Sequence, residues 1–110
     1  MATLPFSKMR RADNTVYLSG ELEFGPEGNV TGDIRHPTAQ TQANIAATLA
    51  AEGLSLQDVT SCYLTDRLDF AGFNEAYRAA LTEPLPTRST VLCDLVLDAK
   101  IEITVTAQAL

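Results

Sequence analysis

Basic residues are scarce in this chain of 110 residues: eight Lys and Arg stand against fourteen Asp and Glu, for a formal net charge of −6. A protein that neutralises phosphates needs a basic face, so this balance argues against a nucleic-acid partner. Lys8, Arg10 and Arg11 lie together, but three cations on an acidic chain read as a solvated strand end. The one histidine, His36, precedes a helix and reads as a surface or helix-start residue rather than a ligand or base. The two cysteines, Cys62 and Cys93, make neither a disulfide framework nor a metal set, and in apolar strand-like surroundings both read as small hydrophobes. No apolar run approaches the length of a membrane span, and Met1 to Leu4 lacks the charged and apolar regions of a signal peptide. The expectation is a reduced, cytoplasmic protein with no membrane, no nucleic acid and no metal.

What is present suffices for a core. With 45% hydrophobic residues, the expectation is one domain over residues 1–110 that buries roughly two thirds of its unfolded surface. Phe6 to Arg11 and Thr15 to Leu22 read as extended segments around an Ala12-Asp13-Asn14 turn. Gly20, at the end of the second, is suited to a bulge or to close approach of a ligand to the backbone. Phe24 to Asp33 is rich in turn residues and reads as an exposed loop with at most a short strand at Val30. From Pro37 to a stop at Gly53 the composition favours a helix, with Ala39, Ala43, Ile45, Ala46 and Leu49 as its apolar stripe. Asp58 to Thr65 reads as a strand. Asp69 is the expected N-cap of a second helix, with Leu68 and Phe73 as a hydrophobic staple and Phe70, Phe73, Ala76, Tyr77, Ala80 and Leu81 facing the core. Two strands follow Pro86. The order predicts an α+β fold, a mixed sheet with two helices packed on one face.

The last two strands hold the candidate site. Alternation puts Arg88, Thr90 and Leu92 on one face of the first, and Glu102, Thr104 and Thr106 on the polar face of the second. The two strands read as neighbours, so Arg88 and Glu102 can converge on one small site, or they can simply form an ion pair at a subunit interface.

Taken together, Leu4-Pro5-Phe6-Ser7, Val16-Tyr17-Leu18-Ser19-Gly20, Thr41-Gln42-Ala43-Asn44-Ile45, Leu64-Thr65-Asp66, Asp69-Phe70, Phe73-Asn74-Glu75-Ala76-Tyr77, Pro86-Thr87-Arg88-Ser89-Thr90-Val91 and Ile101-Glu102-Ile103 resemble the RidA (YjgF) family of reactive-intermediate deaminases. The resemblance spans nearly the whole chain. It implies a chorismate-mutase-like homotrimer with ligand sites in the clefts between subunits and, as activity, hydrolysis of 2-enamine or 2-imino acids to 2-keto acids and ammonia without a cofactor. Such an enzyme is a hydrolase of the 2-iminobutanoate/2-iminopropanoate deaminase type. By the resemblance Arg88 binds the substrate carboxylate, Glu102 is the acid near the leaving nitrogen, and Ser19 with Gly20 lines the cleft. Phe6 stands where many members have tyrosine and Thr90 where many have cysteine, and both are expected to touch substrate. The Val96-Leu97-Asp98-Ala99 connection departs from the family's usual turn. A trimer that binds small carboxylates, such as 2-keto acids, without turning them over is the alternative. An apolar second face of the sheet is expected to make the trimer contact.

Overall fold

The computed structural model describes residues 4–22, 33–54 and 58–108. Among them run β1 (Met9–Ala12), β2 (Thr15–Leu18), β3 (Glu21–Leu22), α1 (Arg35–Ala50), β4 (Val59–Leu64), a 3-10 turn (Arg67–Asp69), α2 (Phe70–Ala79), β5 (Thr87–Leu92) and β6 (Ile101–Gln108). The turn-rich stretch from Phe24 to Gly32 lies outside the described residues. The strands form one mixed sheet in the order β1-β2-β6-β4-β5, with β3 pairing β6 beyond the end of β2. The β4–β5 pair is parallel and bridged by α2, and the other pairs are antiparallel. The α+β layout expected from the sequence is therefore present.

One face of the sheet packs on the helices. Val16 and Leu18 of β2, Cys62 and Leu64 of β4, and Ile101, Ile103, Val105 and Ala107 of β6 meet Ile45 and Leu49 of α1 and Phe73 and Tyr77 of α2. Strand alternation explains which residues these are, every second one along β4 and β6. The expected stripe of α1 is corrected: Ala39, Ala43 and Ala46 are exposed, and Ile45 and Leu49 carry Thr38, Thr41 and Gln42 into the core with them. Thr41 and Gln42 lie four and three residues before Ile45, and Thr38 a further turn back, so all three share the face of the large aliphatics and are buried with them, polar or not. Thr38 hydroxyl donates to the Ile34 carbonyl at 2.8 Å and the Gln42 amide donates to the Tyr77 carbonyl at 3.1 Å. At its C-terminus α1 closes with Gly53 at φ 73°, its amide donating to the Ala50 carbonyl and that of Leu54 to Leu49. That is a Schellman closure, for which a glycine in the left-handed region costs least.

The expected start of α2 is also corrected. Asp66, in extended conformation, caps the preceding 3-10 turn by accepting the Leu68 amide at 2.9 Å. Asp69 already has helical dihedrals and makes no cap bond; its carboxylate instead accepts from Lys100 at 3.3 Å. Leu68 is 89% exposed, so there is no staple.

The opposite face is less apolar than expected. It carries Tyr17, Ser61, Tyr63, Ser89, Val91, Thr104 and Thr106, of which Tyr17 and Val91 are exposed large hydrophobics. Among the described residues no helix is long and apolar enough to cross a membrane.

Candidate functional site

The pairing registers separate the candidate residues into two groups. Arg88 is level with Thr60 of β4, and Thr60 with Val105 of β6, so Arg88 lies on the helix face. Glu102 is level with Tyr63 and, through it, Val91, on the opposite face. The strands that carry Arg88 and Glu102 are not neighbours, because β4 lies between them. Their backbones are offset by three positions along the strands, about 10 Å, and by two strand spacings, also about 10 Å. Convergence within one chain is thereby corrected: the sheet stands between the two side chains, and no ion pair joins them among the described residues.

Arg88 sits on the edge strand over the aromatic surface of α2. Its guanidinium carbon lies 5.0 Å from the ring centroids of Phe73 and Tyr77 and 5.9 Å from that of Phe70. A planar cation stacked on aromatic faces keeps its orientation while its edge donors stay free for a planar anion. The groove beside it, about 350 Å³, is lined by Asn74, Tyr77, Arg78, Leu85, Pro86 and Arg88. Tyr77 hydroxyl shares a 2.7 Å hydrogen bond with the Thr60 hydroxyl, which fixes the ring on which Arg88 rests. Burial pushes the Tyr77 phenol up, and it pushes the Cys62 thiol up to about 11 against the opposing influence of the Arg88 charge. Thr90 is on the same face as Arg88, level with Cys62, and its buried hydroxyl oxygen has no protein partner.

The second group is organised by a bulge. Tyr17 pairs with Thr106 but Glu21 pairs with Ile103, so three residues of the first strand span two of β6. The extra residue falls at Leu18-Ser19-Gly20, and the slip turns Leu22 from the helix face to stand opposite Glu102. The Glu102 carboxylate lies against the Gly20 α-carbon: a Cβ there would come within 2.7 Å of its Cδ and closer still to Oε2. Glycine here leaves the space that the Glu102 carboxylate occupies. The Ser19 hydroxyl donates to the Ser7 carbonyl at 2.6 Å and the Ser19 amide to the Lys8 carbonyl at 3.0 Å, tying the bulge to the chain before β1. Its hydroxyl proton is thus committed, leaving the oxygen as an acceptor. Ser19, Gly20 and Glu102 open into a cleft of about 460 Å³ whose other walls are Leu4, Phe6, Leu22, Val96 and Leu97.

Phe6, Ser19, Gly20 and Glu102 are therefore brought together, and Arg88 with Thr90 is held apart from them. The reading of single residues missed Leu22, because one inserted residue reverses every later side chain. It also gave no place to Asn74 and Arg78 beside Arg88; their shared helix face, one turn apart, was the available signal. Among the described residues no group of three or more His, Cys, Asp and Glu could hold a metal ion.

Known proteins resemble this chain in sequence and in fold. The chain is 38% identical over 91 residues to a RutC family protein of Pyrococcus horikoshii, an alignment covering 79% of this chain and 72% of the relative. It is 34% identical over 104 residues to a protein of Dermatophagoides farinae named 2-iminobutanoate/2-iminopropanoate deaminase, covering 90% and 81%. Among solved structures, RidA from an Antarctic Psychrobacter superposes with a TM-score of 0.86 at 34% identity, over 99% of this chain and 92% of that one. Yeast Mmf1 gives the same TM-score at 31% identity, over 97% and 89%. The family model described as Endoribonuclease L-PSP matches residues 1–109, and the chain accordingly belongs to that family, the group of the YjgF and RidA proteins.

Proposed function

We propose that this chain hydrolyses reactive 2-enamine and 2-imino acids to 2-keto acids and ammonia in the cytoplasm, as a homotrimer whose sites take Arg88 from one copy and Glu102 from the next. The observation that carries the shared site is the placement of Arg88 and Glu102 on opposite faces of one sheet. A site needing both must draw them from different copies. The edge position of β5 leaves Arg88 at the margin of the chain, where a neighbour can approach. The chemistry is supported by relatives named for imine deamination, and the family's endoribonuclease description is disfavoured by the net charge of −6.

In this reading the Arg88 guanidinium makes two parallel bonds to the carboxylate of the substrate and so fixes C2. The imine nitrogen lies toward Glu102. Water adds to C2, the C=N π bond becomes a tetrahedral amino alcohol, and the proton lost by the water passes by way of Glu102 to nitrogen. Collapse passes the hydroxyl proton to the amino nitrogen by way of Glu102, forms the C=O bond, breaks C–N and releases ammonia. No electrons leave the system and no cofactor is needed. Phe6 and Thr90 contact substrate in this arrangement, Phe6 by apolar packing and Thr90 beside the Arg88 end. Phe6 has no hydroxyl and the Ser19 proton is already donated to Ser7, so among the described residues of this cleft Glu102 is the one left to move protons. That economy also favours the second reading, a trimer that binds 2-keto acids without turnover.

Mixed assemblies test the proposal. Arg88→Ala and Glu102→Gln chains are each expected to be inactive, and Glu102→Gln to retain carboxylate binding. Co-refolded in equal amounts they should recover about a quarter of wild-type turnover, since one neighbouring pair in four has both residues intact. No recovery from well-folded mixtures refutes the shared site.

A further inference from the structure

We propose, resting on the deaminase reading, that the cleft beside Glu102 receives the substrate's side chain and selects large apolar ones, branched or aromatic, over methyl and ethyl. Among the described residues nine large hydrophobics are exposed, and four of them, Leu4, Phe6, Val96 and Leu97, gather around this cleft. Val96 is 99% exposed, so it contributes nothing to the chain's own core. Exposed apolar residues scattered singly need no explanation, but four around one concavity describe a binding surface. Leu22 completes the wall, and it is there only because the bulge at Ser19-Gly20 turns it to the Glu102 side.

The orientation of the substrate follows from charge. Arg88 is the cation of the proposed site, so the substrate's own carboxylate lies toward its guanidinium. The nitrogen lies at Glu102. The remaining substituent on C2 then occupies the apolar volume. The apolar wall formed by Leu4, Phe6, Leu22, Val96 and Leu97 is broader than a methyl or ethyl group can cover, and uncovered apolar wall gives up the gain of removing it from water. Among the described residues that line it, Ser19 is the one polar side chain besides Glu102, and its hydroxyl proton is already donated to Ser7, which offers little to a hydrophilic side chain. Imines derived from acidic or hydroxylated amino acids are disfavoured on the same grounds.

The test compares imines generated in situ by an amino-acid oxidase from leucine, phenylalanine and alanine, with calorimetric binding of 4-methyl-2-oxopentanoate and pyruvate to the same wild-type protein. Each methylene fully removed from water is worth about fourfold, so the leucine-derived imine, partly buried, should exceed the alanine-derived one about tenfold in kcat/KM. The two keto acids should bind in the same order. Leu97→Ser and Phe6→Ala should both pull the leucine-to-alanine ratio toward one. Turnover with equal or reversed preference, or a ratio indifferent to both substitutions, overturns the side-chain subsite and leaves the deaminase reading standing. Absence of turnover with preserved keto-acid order overturns the deaminase reading and supports the subsite in a binding protein. Absence of both overturns both.

Discussion

Gly20→Ala isolates the contact between the bulge and the acid. The new Cβ would come closest to Glu102 Oε2, within 2.7 Å of Cδ and 3.0 Å of Cγ. Ordinary carbon–carbon contact begins near 3.5 Å, so the carboxyl carbon must retreat by about 1 Å and the oxygen by more. Gly20 is not in the left-handed region, so alanine imposes no backbone strain, and the obstructed atoms end a flexible side chain. Stability should change by less than about 1 kcal/mol, with the entropy lost by the unfolded chain partly offsetting any new crowding. Catalysis is more sensitive. A displacement of about 1 Å in a proton-transferring group costs on the order of 10²-fold, or about 2.7 kcal/mol in activation free energy. Imine loss in the oxidase-coupled assay should therefore fall by that factor while the urea midpoint and 2-keto acid binding stay near wild type. Combining Gly20→Ala with Glu102→Gln should add little to Glu102→Gln alone, since both disable the same group. Wild-type turnover in folded Gly20→Ala, or full additivity in the double variant, would refute the claim that Gly20 seats the Glu102 carboxylate.

Arg88→Lys keeps the charge but loses the planar fork and its fit over Phe73 and Tyr77, so 2-keto acid binding should weaken about tenfold and turnover more; Arg88→Ala should lose about 2–4 kcal/mol of binding, both read by calorimetry and the coupled assay. Lys100 and Asp69 form a pair whose side chains are only 14% and 16% exposed, so Lys100→Met alone should destabilise by about 2 kcal/mol, whereas Lys100→Met with Asp69→Leu should cost less, as measured by urea denaturation. Cys62 is raised from 9.0 to about 11 by burial, so between those values the unfolded chain releases a proton the folded chain keeps. Stability is thus full below pH 9 and falls as pH rises toward 11, by on the order of 2 kcal/mol, and Cys62→Ala should flatten that part of the urea-midpoint profile.

Strand alternation made much of this legible in advance. Ile101, Ile103 and Val105 are core and Glu102 faces away, as the period of two requires, and Pro86 does precede a strand beginning at Thr87. The helices were legible in extent and in part in face: Ile45, Leu49, Phe73 and Tyr77 are core as expected, whereas Phe70 and Ala80 of the second stripe are exposed. In α1 the alanines suggested a stripe, but small side chains carry too little transfer energy to outweigh Ile45 and Leu49, and the true face includes Gln42. Asp69 looked like a cap because aspartate favours that position, yet Asp66 takes the cap and frees Asp69 for Lys100, a partner distant in sequence. For the site, residue types were legible and their relation was not. Sequence order puts β5 next to β6, while β4 inserts between them through a parallel pairing that no local signal announces.

That insertion has a consequence for how such a molecule can diversify. Arg88 rests on Phe73 and Tyr77, which are also core residues, so the proposed anchor for the acid end cannot drift without loosening the fold. Phe6, Val96 and Leu97 border the other half-site from exposed positions that the core does not use. In the proposed site, selection can therefore rewrite which side chains are accepted at almost no thermodynamic cost, while the proposed carboxylate anchor stays tied to the stability of the chain.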